Sequence, residues 1–179
     1  SNVATTNEIS TRTWTGSVWS SVQTYNPTRT SGIVDSMIAE TDPVNGYIML
    51  AWVDVNKDIS ADYFLAATSP RGEPSAALDT NVTTVAGAAM PDTQNFDIAF
   101  EGVSGRAMIV WGSSAYSGLR TIMRTSGIVG TWQTIQTPSA FQSQGLILEM
   151  ASRPGTNDIA YINHSNWRSP GMTANGIEA

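Results

Sequence analysis

Residues Phe96–Trp132 read FDIAFEGVSGRAMIVWGSSAYSGLRTIMRTSGIVGTW, and their punctuation decides the fold. Four apolar runs, Phe96–Phe100, Ala107–Trp111, Leu119–Met123 and Ile128–Trp132 leading into Ile135, alternate with turn residues. Gly102 and Gly105 fill the first gap, Ser113, Ser114 and Gly118 the second, Ser126 and Gly127 the third. Apolar runs of about five residues bounded by Gly and Ser read as short strands joined by tight turns. The stretch therefore predicts one up-and-down antiparallel sheet of four strands.

The same pattern extends outward. Upstream, Asp35–Glu40, Tyr47–Val53, Ile59–Ala67 and the weaker Leu78–Val85 make a second set of four strands. Before them, Ile9–Trp14 and Ser17–Gln23 form a pair. Downstream, Leu146–Ala151 and Asp158–Asn163 form a hairpin across Arg153-Pro154-Gly155-Thr156-Asn157. The segments Met37–Trp52, Ile98–Trp111 and Met150–Asn163 each run strand, Gly/Asn turn, strand, and Ser17–Pro27 matches Gly130–Pro138. A period of roughly 50–60 residues lies in the range of blade-type repeats. No window carries the i, i+3, i+4, i+7 spacing of a helix.

The chain thus opens on the last two strands of a unit, holds two whole units, and ends on the first two strands of another. The expected fold is an all-β, propeller-like array of about three four-stranded antiparallel blades in one domain spanning residues 1–179. Residues 1–8 and 164–179 are expected to be irregular, and a fragment of a longer propeller is one reading of the array. A closed propeller usually needs at least four blades. The expected alternatives are an open arc with capped ends or a homodimer whose two copies complete a six-bladed ring and so remove exposed sheet edges.

Bulk composition narrows the partners. The chain of 179 residues carries 9 Lys and Arg against 15 Asp and Glu, a net charge of −6, and charged residues make up only 13%. Lys57 is the only lysine. Phosphate backbones are held by clustered cations, so nucleic acid is not an expected partner. No apolar run reaches the roughly 20 residues of a membrane-spanning helix, so no membrane insertion is expected. There is no cysteine, which removes disulfides and thiolate metal sites. Low charge with Ser-, Thr- and Asn-rich strands suggests an extracellular, cell-surface or periplasmic setting.

Thr125–Trp132, TSGIVGTW, resembles a degenerate Asp-box hairpin of sialidase-type β-propellers, with Ser126, Gly130 and Trp132 of the right kinds. Thr13–Trp19 is a fainter echo. The motif's aspartate has no counterpart here, and the arginine cluster, Tyr/Glu pair and acid Asp of those enzymes do not fall on matching positions. The resemblance implies propeller blades rather than sialidase chemistry.

A few residues carry chemical expectations. Asp54, Asn56, Asp58, Ser60 and Asp62 place oxygens at alternate positions of a turn, a spacing suited to Ca²⁺, although Ile59 stands where calcium loops favour glycine. Trp52 and Trp111 occupy equivalent strand ends, as do Trp19 and Trp132. Packing between blades explains that periodicity better than a sugar-stacking surface does. Trp167, beside the lone histidine His164 in the tail, is the better exposed aromatic, and the two are the ligand-binding candidates for a glycan or protein surface. Glu40, Glu101 and Glu149 lie on equivalent first strands, where converging carboxylates would suit glycoside hydrolysis. The expected function is a non-catalytic binding or structural scaffold; the alternative is a divergent glycoside-hydrolase propeller.

Overall fold

A computed structural model of the chain describes residues 9–25, 32–64, 78–80, 82, 95–113, 118–127, 130–137, 147–164 and 177–178. The described residues are all-β, with eleven strands in four antiparallel sheets. Strands β1 (Ile9–Thr11) and β2 (Gln23–Tyr25) pair alone. Strands β3 (Val34–Thr41), β4 (Ile48–Asp54) and β5 (Ile59–Phe64) form the second sheet. The third contains β6 (Phe96–Phe100), β7 (Ala107–Ser113) and β8 (Gly118–Arg124). In the fourth, β10 (Ile159–His164) lies between β9 (Ile147–Ser152) and β11 (Ile177–Glu178).

The sheets repeat residue for residue. Thr41 faces Ile48 and Met37 faces Trp52; Phe100 faces Ala107 and Phe96 faces Trp111; Ser152 faces Ile159 and Leu148 faces Asn163. The second hairpins agree as well, with Ile48 opposite Phe64 and Ala107 opposite Arg124. Each first hairpin turns through four residues. Gly46 (φ 69°) and Gly105 (φ 67°) supply the left-handed last position in the first two, and Pro154-Gly155 (φ 72°) makes the bend in the third.

Because side chains alternate across a strand, each sheet has two faces. Calling the face of Met49, Ala51 and Val53 the front and that of Ile48, Leu50 and Trp52 the back makes the packing regular. Ile9 of β1 packs on Leu50, Trp52 and Phe64, the back of the second sheet. The front of that sheet (Met49, Ala51, Val53, Ile59, Ala61, Tyr63) packs on Phe96, Ile98, Ala107, Ile109 and Trp111, the back of the third. Val110 and Leu119, on the front of the third, pack on Leu148, Met150 and Tyr161 at the back of the fourth. The contacts between the second and third and between the third and fourth sheets are thus front to back, in chain order, and the first sheet packs on the back of the second. Trp52 and Trp111 are both fully buried and occupy equivalent places.

The finer expectations fare unevenly. The expected fourth strands lie partly outside the described residues, and what is described consists of single bridges. Residues 78–80 hydrogen-bond Ile59, and residues 132–136 run beside β8 through bridges at Arg124–Trp132 and Thr121–Gln136. The tail is not wholly irregular: His164 ends β10, and Ile177–Glu178 takes the outer edge of that strand. That edge is where a blade split between the two termini would have joined. Trp19 does not pack in a core; it is 60% exposed, with its ring 5.3 Å from that of Trp14.

Candidate binding cleft

The first strands of three sheets sit side by side, β6 between β3 and β9, and each is an edge of its own sheet. Between them opens a cavity of about 280 Å³. Glu40, Thr41 and Pro43 line it from β3 and its turn, Ile98–Phe100 from β6, and Met150 and Ser152 from β9. The lining combines apolar floor, hydroxyls and a carboxyl, with no Lys or Arg among these residues.

Asp97 ties the middle strand to its neighbour. Its Oδ2 accepts the Met150 N–H at 2.6 Å and its Oδ1 the Ile98 N–H at 2.8 Å. Burial raises the Asp97 pKa, the two N–H donors oppose that, and the nearby Glu149 charge adds to it. Glu40 is raised as well, first by burial and then by the charge of Asp97. The cleft therefore carries one carboxyl, Glu40, biased toward its neutral form, with Asp97 buried beside it in β6 outside the lining.

The other expected acids lie apart from this pair. Glu101, at the turn after β6, is clamped by Arg106, whose Nε donates to Oε2 at 2.6 Å, and by the Ser104 hydroxyl. Burial works against its ionisation, but the bonds and charge of Arg106 hold its pKa below the ordinary value. Glu149 is exposed on β9, on the front of its sheet.

Asp54 of the calcium candidate accepts the N–H groups of Gly32 (2.8 Å), Asn56 (2.9 Å) and Asp58 (3.1 Å). Its carboxylate caps the turn, and a cation there competes with those amides. Ser60 and Asp62 are buried in β5, while Asn56 is exposed. Among the described residues no three His, Cys, Asp or Glu side chains are grouped to hold a metal ion. The backbone of His164 pairs with Ile147 and Ile177, and Trp167 lies outside the described residues.

Sequence reasoning missed two buried polar knots between the second and third sheets. In one, Asp79 accepts the Trp111 indole N–H at 2.8 Å and the Arg120 guanidinium at 3.1 Å. Burial disfavours its charge, yet these donors and the Arg120 charge hold the pKa below 3.8. In the other, the Arg124 guanidinium lies 4.0 Å from the Tyr63 ring centre, and the Tyr63 hydroxyl donates to Asp42 at 2.7 Å. Only the indole of Trp111, a polar handle on a buried ring, hinted at either. No protein-family model, curated protein or solved structure matches the chain.

Proposed function

We propose that the chain is a non-catalytic, propeller-like binding scaffold of a secreted or cell-surface protein, and that its ligand is an uncharged glycan seated in the cleft between β3, β6 and β9. The observation that carries this reading is the front-to-back stacking of like sheets, which brings three first strands to one line and opens a cleft there. A sialidase-type propeller with four-stranded blades agrees with that stacking and with the bridged segments beside β5 and β8. Hydroxyls of Thr41 and Ser152 and a carboxyl with a raised pKa suit a polyhydroxyl ligand. An anionic sugar would meet no compensating cation among the lining residues. The proposal does not rest on calcium at the Asp54 turn.

A second reading follows from Glu40, the carboxyl that lines the cleft. A glycosidase general acid has a raised pKa, and Glu40 would fill that role. A glycan array combined with a panel of chromogenic glycosides separates the two. Binding without turnover, weakened by Glu40→Gln, supports the scaffold. Turnover that disappears in a folded Glu40→Gln protein supports the hydrolase. Neither binding nor turnover overturns both.

A further inference from the structure

One face at the end of the stack has no cover, although the same face is covered twice within the chain. Ala160 and Ile162 of β10 occupy the positions of Met49 and Ala51 in the second sheet and of Met108 and Val110 in the third. Met49, Ala51 and Val110 are buried beneath the back of the following sheet. Ile162 is instead 51% exposed, and Glu149, Ala151 and Ala160 around it are exposed too. At the opposite end of the stack, the loop between β1 and β2 exposes Trp14 (51%) and Trp19 (60%), a tilted aromatic pair with rings 54° apart. Single exposed apolar side chains are ordinary; two exposed tryptophans in contact at one end of a packed array are not.

We propose that a second copy of this chain covers the Ile162 face with its own first sheet and the Trp14–Trp19 hairpin, and that the exchange is mutual, closing a two-chain ring. The argument is continuity of the interface. Two successive contacts join a front to a back, with the first sheet packed on the back of the second, and a head-to-tail contact of that kind repeats until the rotation closes. The free surfaces at the two ends are a front, around Ile162, and the exposed Trp14 and Trp19 beside the first sheet, the surfaces that a second copy would bring together.

Size-exclusion chromatography with light scattering, at about 100 µM chain, a level suited to weak dimers, tests this. The expected mass is twice that of the chain. Ile162→Asp, and separately Trp14→Ser with Trp19→Ser, are each expected to weaken the dimer by about tenfold or more. All three sites are more than half exposed, so both proteins are expected to keep their fold, which circular dichroism checks. Mixing the two variants is decisive. A head-to-tail ring retains one intact contact in the mixed pair, so dimers reappear. A monomeric wild type, a dimer indifferent to both changes, or folded variants that fail to recover on mixing would each overturn the proposal.

Discussion

Arg124 and Phe64 hold the same place in successive sheets, each opposite the first residue of its central strand. Phe64 fills it with an apolar ring. Arg124 fills it with a cation, 1% exposed, whose Nη1 donates to the Thr125 and Gly127 carbonyls while Nε and Nη2 have no hydrogen-bond partner. Burial lowers its pKa, opposed by the charges of Tyr63 and Asp62. A buried guanidinium so incompletely bonded contributes mainly by packing on Tyr63. Arg124→Met is therefore expected to change stability by less than about 1 kcal/mol, whereas Arg124→Ala, which leaves a void, should cost about 2–4 kcal/mol in urea unfolding.

The two aspartates differ in sign. The Asp79 carboxyl sits below 3.8 in the fold, so its contribution is complete above the unfolded-state value and is lost as pH falls through the folded one. Asp79→Asn should flatten that acid limb. The Asp97 carboxyl sits above 3.8, so ionising it costs stability as pH rises from the unfolded to the folded value. Asp97→Asn should gain on the wild type as pH rises through and above the unfolded-state carboxyl value, read from urea midpoints at each pH. If neither slope changes, the two environments are misassigned.

Among the elements, the hairpin turns give the sharpest comparison. Gly46 and Gly105 are equivalent and both left-handed, but a Cβ at Gly46 meets nothing within 4 Å. At Gly105 it would lie 2.8 Å from Asp42 Oδ1 and 2.8 Å from Ser126 Oγ. Gly46→Ala should cost about 1 kcal/mol for the backbone alone. Gly105→Ala should cost clearly more, because Asp42 is held by the Tyr63 hydroxyl and by the Val44 and Asn45 N–H groups and cannot easily yield. Equal losses in thermal melts would contradict this.

These hairpins were also the most legible part of the sequence. Phe96–Phe100 is bounded as its residues suggest, and β4 and β7 start within a residue of their expected positions. Gly and Asn at the bends supply backbone angles that other residues resist, so the punctuation is physical. The fourth strands were less legible: among the described residues, the segments after β5 and β8 bond their neighbours through isolated bridges, and apolar runs alone do not specify how far a ladder extends.

At the scale of the molecule, the repeat was visible but its polarity was not. Strands β4 and β7 read as continuous apolar runs because both their faces are covered, and such a run does not say which neighbour lies on which side. The candidate cleft was half legible. Glu40 was singled out and lines the cleft, but Glu101 does not join it, because Arg106 and Ser104, next to Glu101 in the turn, satisfy it locally, and Asp97 ties β6 to β9 instead. An aspartate within a buried strand reads as a solvated one until its backbone partner on another sheet is known.

The account stands on sheets stacked front to back in chain order, and nuclear Overhauser contacts from the indole N–H groups test that most directly. Trp52 should show cross-peaks to the Ile9 methyls on the sheet before it, and Trp111 to side chains of the β3–β5 sheet before it. A direct Trp52–Trp111 cross-peak, or Trp111 contacts confined to β9 and β10, would place the two tryptophans in unlike surroundings and contradict the stack.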